Sequence, residues 1–122
     1  MYLCGCRNIK DYSFISKLEK LETLNVSCSN ISDISFVENI KNIKVLNLGE
    51  CKIFKDYGEY KNIKHISKLE KLENLNLNNS NIADISFLEN NKNLKELYLY
   101  GCITINDYSF ISKLEKLEKL EN

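Results

Sequence analysis

The sequence predicts an α/β solenoid built from short parallel strands and short helical or 3₁₀ turns. Three observations carry this. The segment DYSFISKLEKLE stands twice, at 11–22 and again at 107–118. A second long match pairs residues 15–39 with residues 66–90. Short apolar-x-apolar stretches begin at Met1, Leu24, Leu46, Leu75 and Leu97, evenly spaced but for one longer step between Leu46 and Leu75. A fixed period of roughly 20–50 residues marks an architecture in which each unit buries its apolar face only against its neighbours.

The strand elements follow from alternation. In Leu24-Asn25-Val26, Leu46-Asn47-Leu48, Leu75-Asn76-Leu77 and Leu97-Tyr98-Leu99 the flanking apolar residues share one face, and the middle residue takes the other. The longer step fits an insertion of about six residues near Gly58–Ile63 (GEYKNI), after which the pattern resumes at Ile66. The 122 residues then divide into a partial unit 1–14, units near 15–36, 37–65, 66–87 and 88–110, and a partial unit 111–122, all in a single domain.

The return limbs carry S-x-x-E patterns at Ser16–Glu19, Ser35–Glu38, Ser67–Glu70, Ser86–Glu89 and Ser112–Glu115. Each reads as a capping box, so a short helical turn is expected to start at each serine. Phe14, Phe36, Phe87 and Phe110 recur at one position and are expected in the core beside those turns. The run Ile111, Leu114, Leu117, Leu120 also suits a short amphipathic helix at the end of the chain.

The pattern L-x-x-L-x-L-x-x-(N/C)-x-L, carried by Leu21, Leu24, Val26, Ser29, Ile31, by Ile43, Leu46, Leu48, Cys51, Ile53 and by Leu72, Leu75, Leu77, Ser80, Ile82, resembles the leucine-rich repeat. A fourth unit, Leu94, Leu97, Leu99, Cys102, Ile105, has one extra residue before its last apolar position. The tails Ile31-Ser32-Asp33-Ile34 and Ile82-Ala83-Asp84-Ile85 resemble the internalin-like repeat type, with some cysteine-type units. The resemblance covers the whole chain. It implies a right-handed superhelix with strands on the concave face and turns on the convex one. In that family the inward residue after each strand is usually Asn, and here it is Cys6, Ser29, Cys51, Ser80 and Cys102. Thiol and hydroxyl each donate one hydrogen bond, so they replace part of what Asn supplies and weaken the spine without breaking it.

Composition narrows the function. The 17 basic and 17 acidic side chains cancel and alternate along the chain, as in Lys17-Leu18-Glu19-Lys20-Leu21-Glu22. Nucleic acid and anionic membrane surfaces are therefore not expected partners, since both need a basic patch. Apolar runs are only a few residues long, too short for a membrane span. Five cysteines and a start, MYLCGCRNIK, without an apolar signal core point to a reducing, cytoplasmic setting, although an odd count suits free thiols in either.

Chemistry finds few parts. Strand alternation sends Cys4 and Cys6 to opposite faces, poor geometry for a shared tetrahedral ion, so no metal site is expected. The spacing leaves open a Cys4–Cys28 disulfide across adjacent strands. His65, the single histidine, aligns with Phe14 and Phe110 and reads as a packed, hydrogen-bonded residue in place of a core aromatic. No nucleophile–base pair and no Gly-rich phosphate loop stands out, so neither a catalytic residue nor a cofactor is expected. There remains the concave face, whose outward residues are Tyr2 and Cys4; Thr23, Asn25 and Ser27; Val45, Asn47 and Gly49; Asn74, Asn76 and Asn78; Glu96, Tyr98 and Tyr100. By analogy with the family, a protein partner is expected to bind Tyr2, Asn25, Ser27, Asn47, Asn76, Asn78, Tyr98 and Tyr100. The alternative is a structural segment of a longer solenoid with no ligand of its own. The chain starts and stops in the same repeat phase, from which head-to-tail self-association is expected.

Overall fold

In each unit the apolar residues leading into the strand are spaced by three, as in Tyr12, Ile15, Leu18, Leu21 and Leu24, or Ile63, Ile66, Leu69, Leu72 and Leu75. A period of three is that of the 3₁₀ turn, in which side chains at i and i+3 eclipse, and not the 3.6 of an α-helix. A computed structural model of the chain, which describes residues 1–51 and 63–122, follows that period. Among the described residues, 3₁₀ turns lie at Ser13–Lys17, Ser35–Asn39, Lys64–Lys68, Ser86–Asn90 and Ser109–Lys113. Hydrogen bonds of the same spacing run on past each turn: Leu18 N–H donates to Ile15 C=O (3.0 Å) and Leu21 N–H to Leu18 C=O (3.0 Å), with the same chain of bonds in the other units. The insertion near Gly58–Ile63, apart from Ile63 itself, lies outside the described residues, as does Ile53 of the second unit.

Five strands follow the turns: β1 Thr23–Asn25, β2 Val45–Asn47, β3 Asn74–Asn76, β4 Glu96–Tyr98 and β5 Lys119–Glu121. They pair in parallel in chain order, one per unit, and Tyr2 adds an isolated bridge to Asn25 outside β1. Register aligns Leu24, Leu46, Leu75, Leu97 and Leu120 in one row. The first four of these have no exposed surface, nor do Leu48 and Leu77 in the next inward row. The result is a leucine-filled core between a parallel sheet and a wall of 3₁₀ turns, the layout of an α/β solenoid. β5 replaces the terminal amphipathic helix offered as an option for residues 111–122. The three-residue period carries on to Leu120, and Leu99 N–H pairs with Glu121 C=O.

Two expectations about the turns need correction. None of them has a side-chain cap from a serine at its N-cap. Instead an aspartate two residues ahead accepts the first serine's backbone N–H: Asp11 from Ser13 (2.8 Å), Asp33 from Ser35 (2.8 Å), Asp84 from Ser86 (2.9 Å) and Asp107 from Ser109 (2.9 Å). Ser16, Ser67 and Ser112 sit toward the end of their turns and donate back to the carbonyl three residues earlier. The glutamate of each S-x-x-E pattern therefore does not close a capping box. The second correction concerns the phenylalanines. Phe36 and Phe110 are buried and Phe87 is half-buried, but Phe14 is 43% exposed. Phe36 lines a groove together with Ile9 to Ser13 of the preceding unit, and Phe110 lines one with Ala83, Asp84 and Ser86. Phe14 lies in the first of the described turns.

The inward positions behave as the resemblance implied. Cys51 Sγ donates to Val26 C=O and Cys102 Sγ to Leu77 C=O, both at 3.1 Å, while the Ser29 hydroxyl accepts from Ile31 N–H at 3.3 Å. Thiols stand where amides would bond to neighbouring loops. Just before them, Gly5, Cys28, Glu50, Asn79 and Gly101 all adopt positive φ, the left-handed step that turns the chain out of the sheet. Glycine and asparagine take that step at little cost, but at Cys28 and Glu50 it costs about 1–2 kcal/mol each.

Candidate functional site

The two residues flanking each strand's central leucine face away from the core, and parallel register stacks them across the sheet. One column runs Tyr2, Asn25, Asn47, Asn76, Tyr98, Glu121. Beside it runs Thr23, Val45, Asn74, Glu96, Lys119. Adjacent members are about 4.8 Å apart, the spacing of strands. Alternation carries Cys4, Ser27, Gly49, Asn78 and Tyr100 to the same face just beyond the strands. Tyr2 is 73% exposed and Tyr100 65% exposed, while the column asparagines and Tyr98 are half-buried.

The asparagines are not free rotors. Asn25 Oδ1 accepts Ser27 N–H (3.0 Å) and the Ser27 hydroxyl (2.7 Å), and Asn47 Oδ1 accepts Gly49 N–H (2.9 Å). Asn76 Oδ1 accepts Asn78 N–H (2.8 Å), and Asn78 Oδ1 accepts Tyr100 N–H (2.8 Å). Those of Asn25, Asn47 and Asn76 are Asx turns, in which a side-chain carbonyl takes the backbone N–H two residues on. Gly49 makes room for them. A Cβ there would lie 3.2 Å from Asn76 Oδ1 and 3.3 Å from Asn47 Oδ1, so a side chain at 49 would press on both amides.

Toward β5 the face becomes charged. Glu96 accepts from Asn74 Nδ2 and from the Tyr98 hydroxyl (3.0 Å), and Lys119 Nζ lies 5.2 Å from the centre of the Tyr98 ring. The Glu121 carboxylate, 3.3 Å away, and then Tyr98 hold the Lys119 ammonium above its ordinary value. Lys119 and Glu121 are not among the residues the sequence marks for a partner, because residues 111–122 read there as a partial unit whose next strand only begins at Leu120. The signal is present: the step from Leu97 to Leu120 repeats the interval between the earlier strands.

The other candidates resolve elsewhere. His65 Nδ1 contacts Glu38 Oε1 on the neighbouring turn, and Lys68 Nζ reaches the same oxygen at 2.6 Å. Lys68 first, and His65 with it, hold the Glu38 carboxyl below its ordinary value. The histidine position is thus a packed clasp between adjacent turns, closed through the Glu38 carboxylate. No disulfide joins the five cysteines: Cys4 and Cys28 are exposed and form no bridge, and Cys28 Sγ instead lies 3.8 Å from Glu50 Oε2. No helix among the described residues is long and apolar enough to cross a membrane.

A sheet of one short parallel strand per unit, backed by 3₁₀ turns, with thiol and hydroxyl residues at the inward positions, defines a leucine-rich-repeat protein. Within that class the chain is internalin-like: a structure of internalin C2 from Listeria monocytogenes aligns with a TM-score of 0.78 at 26% identity, over 90% of this chain and 45% of that one. A second Listeria monocytogenes internalin, inlF, aligns with a TM-score of 0.69 at 23% identity, over 93% of this chain and 38% of that one. The plant peptide hormone receptor RGFR1, in complex with RGF2, shares the fold with a TM-score of 0.64 at 18% identity, over 89% of this chain and 18% of that one. This chain spans less than half the length of each. No family model matches the sequence, and no curated protein does.

Proposed function

We propose that the chain is a non-catalytic protein-interaction module that binds a protein partner through its concave face, at Tyr2, Asn25, Ser27, Asn47, Asn76, Asn78, Tyr98 and Tyr100. The observation that carries this is the unbroken column Tyr2–Asn25–Asn47–Asn76–Tyr98, with Tyr2 exposed at one end and Tyr100 exposed on the same face just beyond Tyr98. Tyrosine buries a large rigid area while keeping a polar tip, and it is enriched where interfaces concentrate their energy. A plant receptor of the same fold held with its peptide hormone supports the reading by analogy.

The test is a selection of short peptides from a random display library on the immobilised chain. Selected peptides are expected to bind Tyr98→Ala/Tyr100→Ala at least about tenfold more weakly, a typical loss for interface tyrosines. The variant is expected to melt as the parent does. Undiminished binding, or a library that yields no binder, refutes the concave-face reading. Copies of this chain are also proposed to associate head to tail, because Leu120 on β5 is 36% exposed and, among the described residues, no strand pairs with the side of β5 away from β4. Light scattering over a hundredfold dilution checks this, and a strictly monomeric species refutes it.

A further inference from the structure

A carboxamide has one acceptor atom and one donor atom, and on this face the choice between them has been made. The backbone N–H groups of Ser27, Gly49, Asn78 and Tyr100 can only donate, so the atoms facing them in Asn25, Asn47, Asn76 and Asn78 are oxygens. That chemistry removes the usual ambiguity between the two ends of an amide. Each NH₂ group is therefore turned away from the turn it closes. Among the described residues none of these four nitrogens has a protein acceptor. The Ser27 hydroxyl gives its proton to Asn25 Oδ1 and so adds to the load on that oxygen. The centre of the concave face is thus a line of unmatched NH₂ donors, while each oxygen is turned into the turn it closes and already carries at least one bond.

Charge narrows what can sit there. From Tyr2 to Asn78 the face carries no charged side chain, and charge begins only at Glu96, Lys119 and Glu121. The lysine is paired with Glu121, and Glu96 is already bound by Asn74 and Tyr98. A carboxylate brought over the asparagines would lose its hydration with no cation to face, at a cost far above that of a neutral carbonyl. A lysine or arginine would set donors against donors. A carbonyl oxygen meets neither penalty.

We infer that the partner segment lays uncharged oxygen acceptors, main-chain carbonyls or Asn/Gln side-chain carbonyls, along the line Asn25–Asn47–Asn76, with no basic side chain at that line; this rests on the concave-face reading above and specifies its ligand. The line is a specificity filter. It favours a segment whose carbonyls are left free over one that presents ammonium or guanidinium groups.

The discriminating changes are Asn47→Asp and Asn76→Asp, made singly and assayed with the peptide selected on the parent chain. Aspartate keeps the oxygen that accepts Gly49 or Asn78 N–H, so the turn is retained. It replaces the outward NH₂ by an oxygen, turning a donor into an acceptor. Each variant is expected to melt within a few degrees of the parent and to bind the peptide at least about tenfold more weakly, since a lost bond becomes an opposed pair of acceptors. If either variant binds more tightly, the partner presents donors: the inference falls and the concave-face reading stands. If both bind unchanged while Tyr98→Ala/Tyr100→Ala does not, the inference again falls alone. If all three bind unchanged, the concave-face reading falls with it. Should an aspartate variant unfold, the side-chain NH₂ resonances of ¹⁵N-labelled parent protein decide. Those of Asn25, Asn47 and Asn76 are expected to move downfield on adding the peptide, and their standing still overturns the inference.

Discussion

Replacing Asn91 by leucine should make this protein more stable. Asn91 lies where the other units place Leu18, Ile40, Leu69 and Leu114, each three residues after an inward residue of a turn, and it has no exposed surface. Its Nδ2 donates to Ile66 C=O (3.0 Å) and Leu69 C=O (3.2 Å), but its Oδ1 is buried without a partner. Both carbonyls also accept backbone N–H groups, Ile66 from Leu69 (3.0 Å) and Leu69 from Leu72 (3.1 Å), so removing the amide strands neither. Two hydrogen bonds of about 0.5–1.5 kcal/mol each are lost, and relief of the unpaired oxygen returns about 1–3 kcal/mol. Burying a leucine side chain adds about 1.5–3 kcal/mol. The balance favours Asn91→Leu by about 1–2 kcal/mol, a rise in Tm of about 4–10 °C for a chain of this size. Thermal and urea melts at fixed protein concentration measure it. Asn91→Asp is the control: a carboxylate facing two carbonyls should cost about 3–5 kcal/mol. A drop in Tm for Asn91→Leu would refute the reasoning, because the amide's two bonds would then outweigh the stranded oxygen.

Leu77→Ala, at a position with no exposed surface, should cost about 2–5 kcal/mol, and an unchanged Tm would overturn the strand register. Gly101 has φ +76° and a Cβ there would lie 2.1 Å from Asn79 Oδ1, so Gly101→Ala should destabilise by about 1–3 kcal/mol in a urea melt. A parent-like midpoint would mean that the Asn79 side chain moves aside and the backbone tolerates the strain. Acid should loosen the turns. Ser13 holds the Asp11 carboxyl below its ordinary 3.8, and Ser109 does the same to Asp107. Ser86 acts likewise on Asp84, and Lys68 with His65 holds Glu38 below 4.5. Since each folded value is lower than the unfolded one, the unfolded chain binds more protons on acidification. Their contribution is present above the ordinary values and is lost as pH falls through the lowered ones. Tm should therefore hold steady above pH 4.5 and fall below 3.8, with Asp107→Asn showing a shallower fall. Parallel curves for the two proteins would rule out a role for the Asp107 carboxylate.

The linear pattern alone was enough for the solenoid, the strand positions, the inward leucines and the column of Asn25, Asn47 and Asn76 facing out. All of these follow from burial repeated along one dimension: a Leu-x-Leu recurring once per unit leaves one register in which every leucine is covered. The three-residue spacing from Ile15 to Leu24 also held the turn type, although the S-x-x-E patterns drew attention from it. The recurring Asp two residues before Ser13, Ser35, Ser86 and Ser109 is an equally legible start signal, since each accepts that serine's backbone N–H. Packing settled the features that depend on residues in the neighbouring unit. Phe36 is buried where the loop of the neighbouring unit flanks it, whereas Phe14 at the equivalent position is exposed. His65 meets Glu38 through the stacking of two turns, and Asn91 keeps an unpaired oxygen because its amide reaches into the unit before it. The outward NH₂ groups of the asparagine column belong here too. Each residue's type was plain in the sequence, but which end of the amide faces a partner was set only when the strand-to-loop turn brought a backbone N–H to the oxygen.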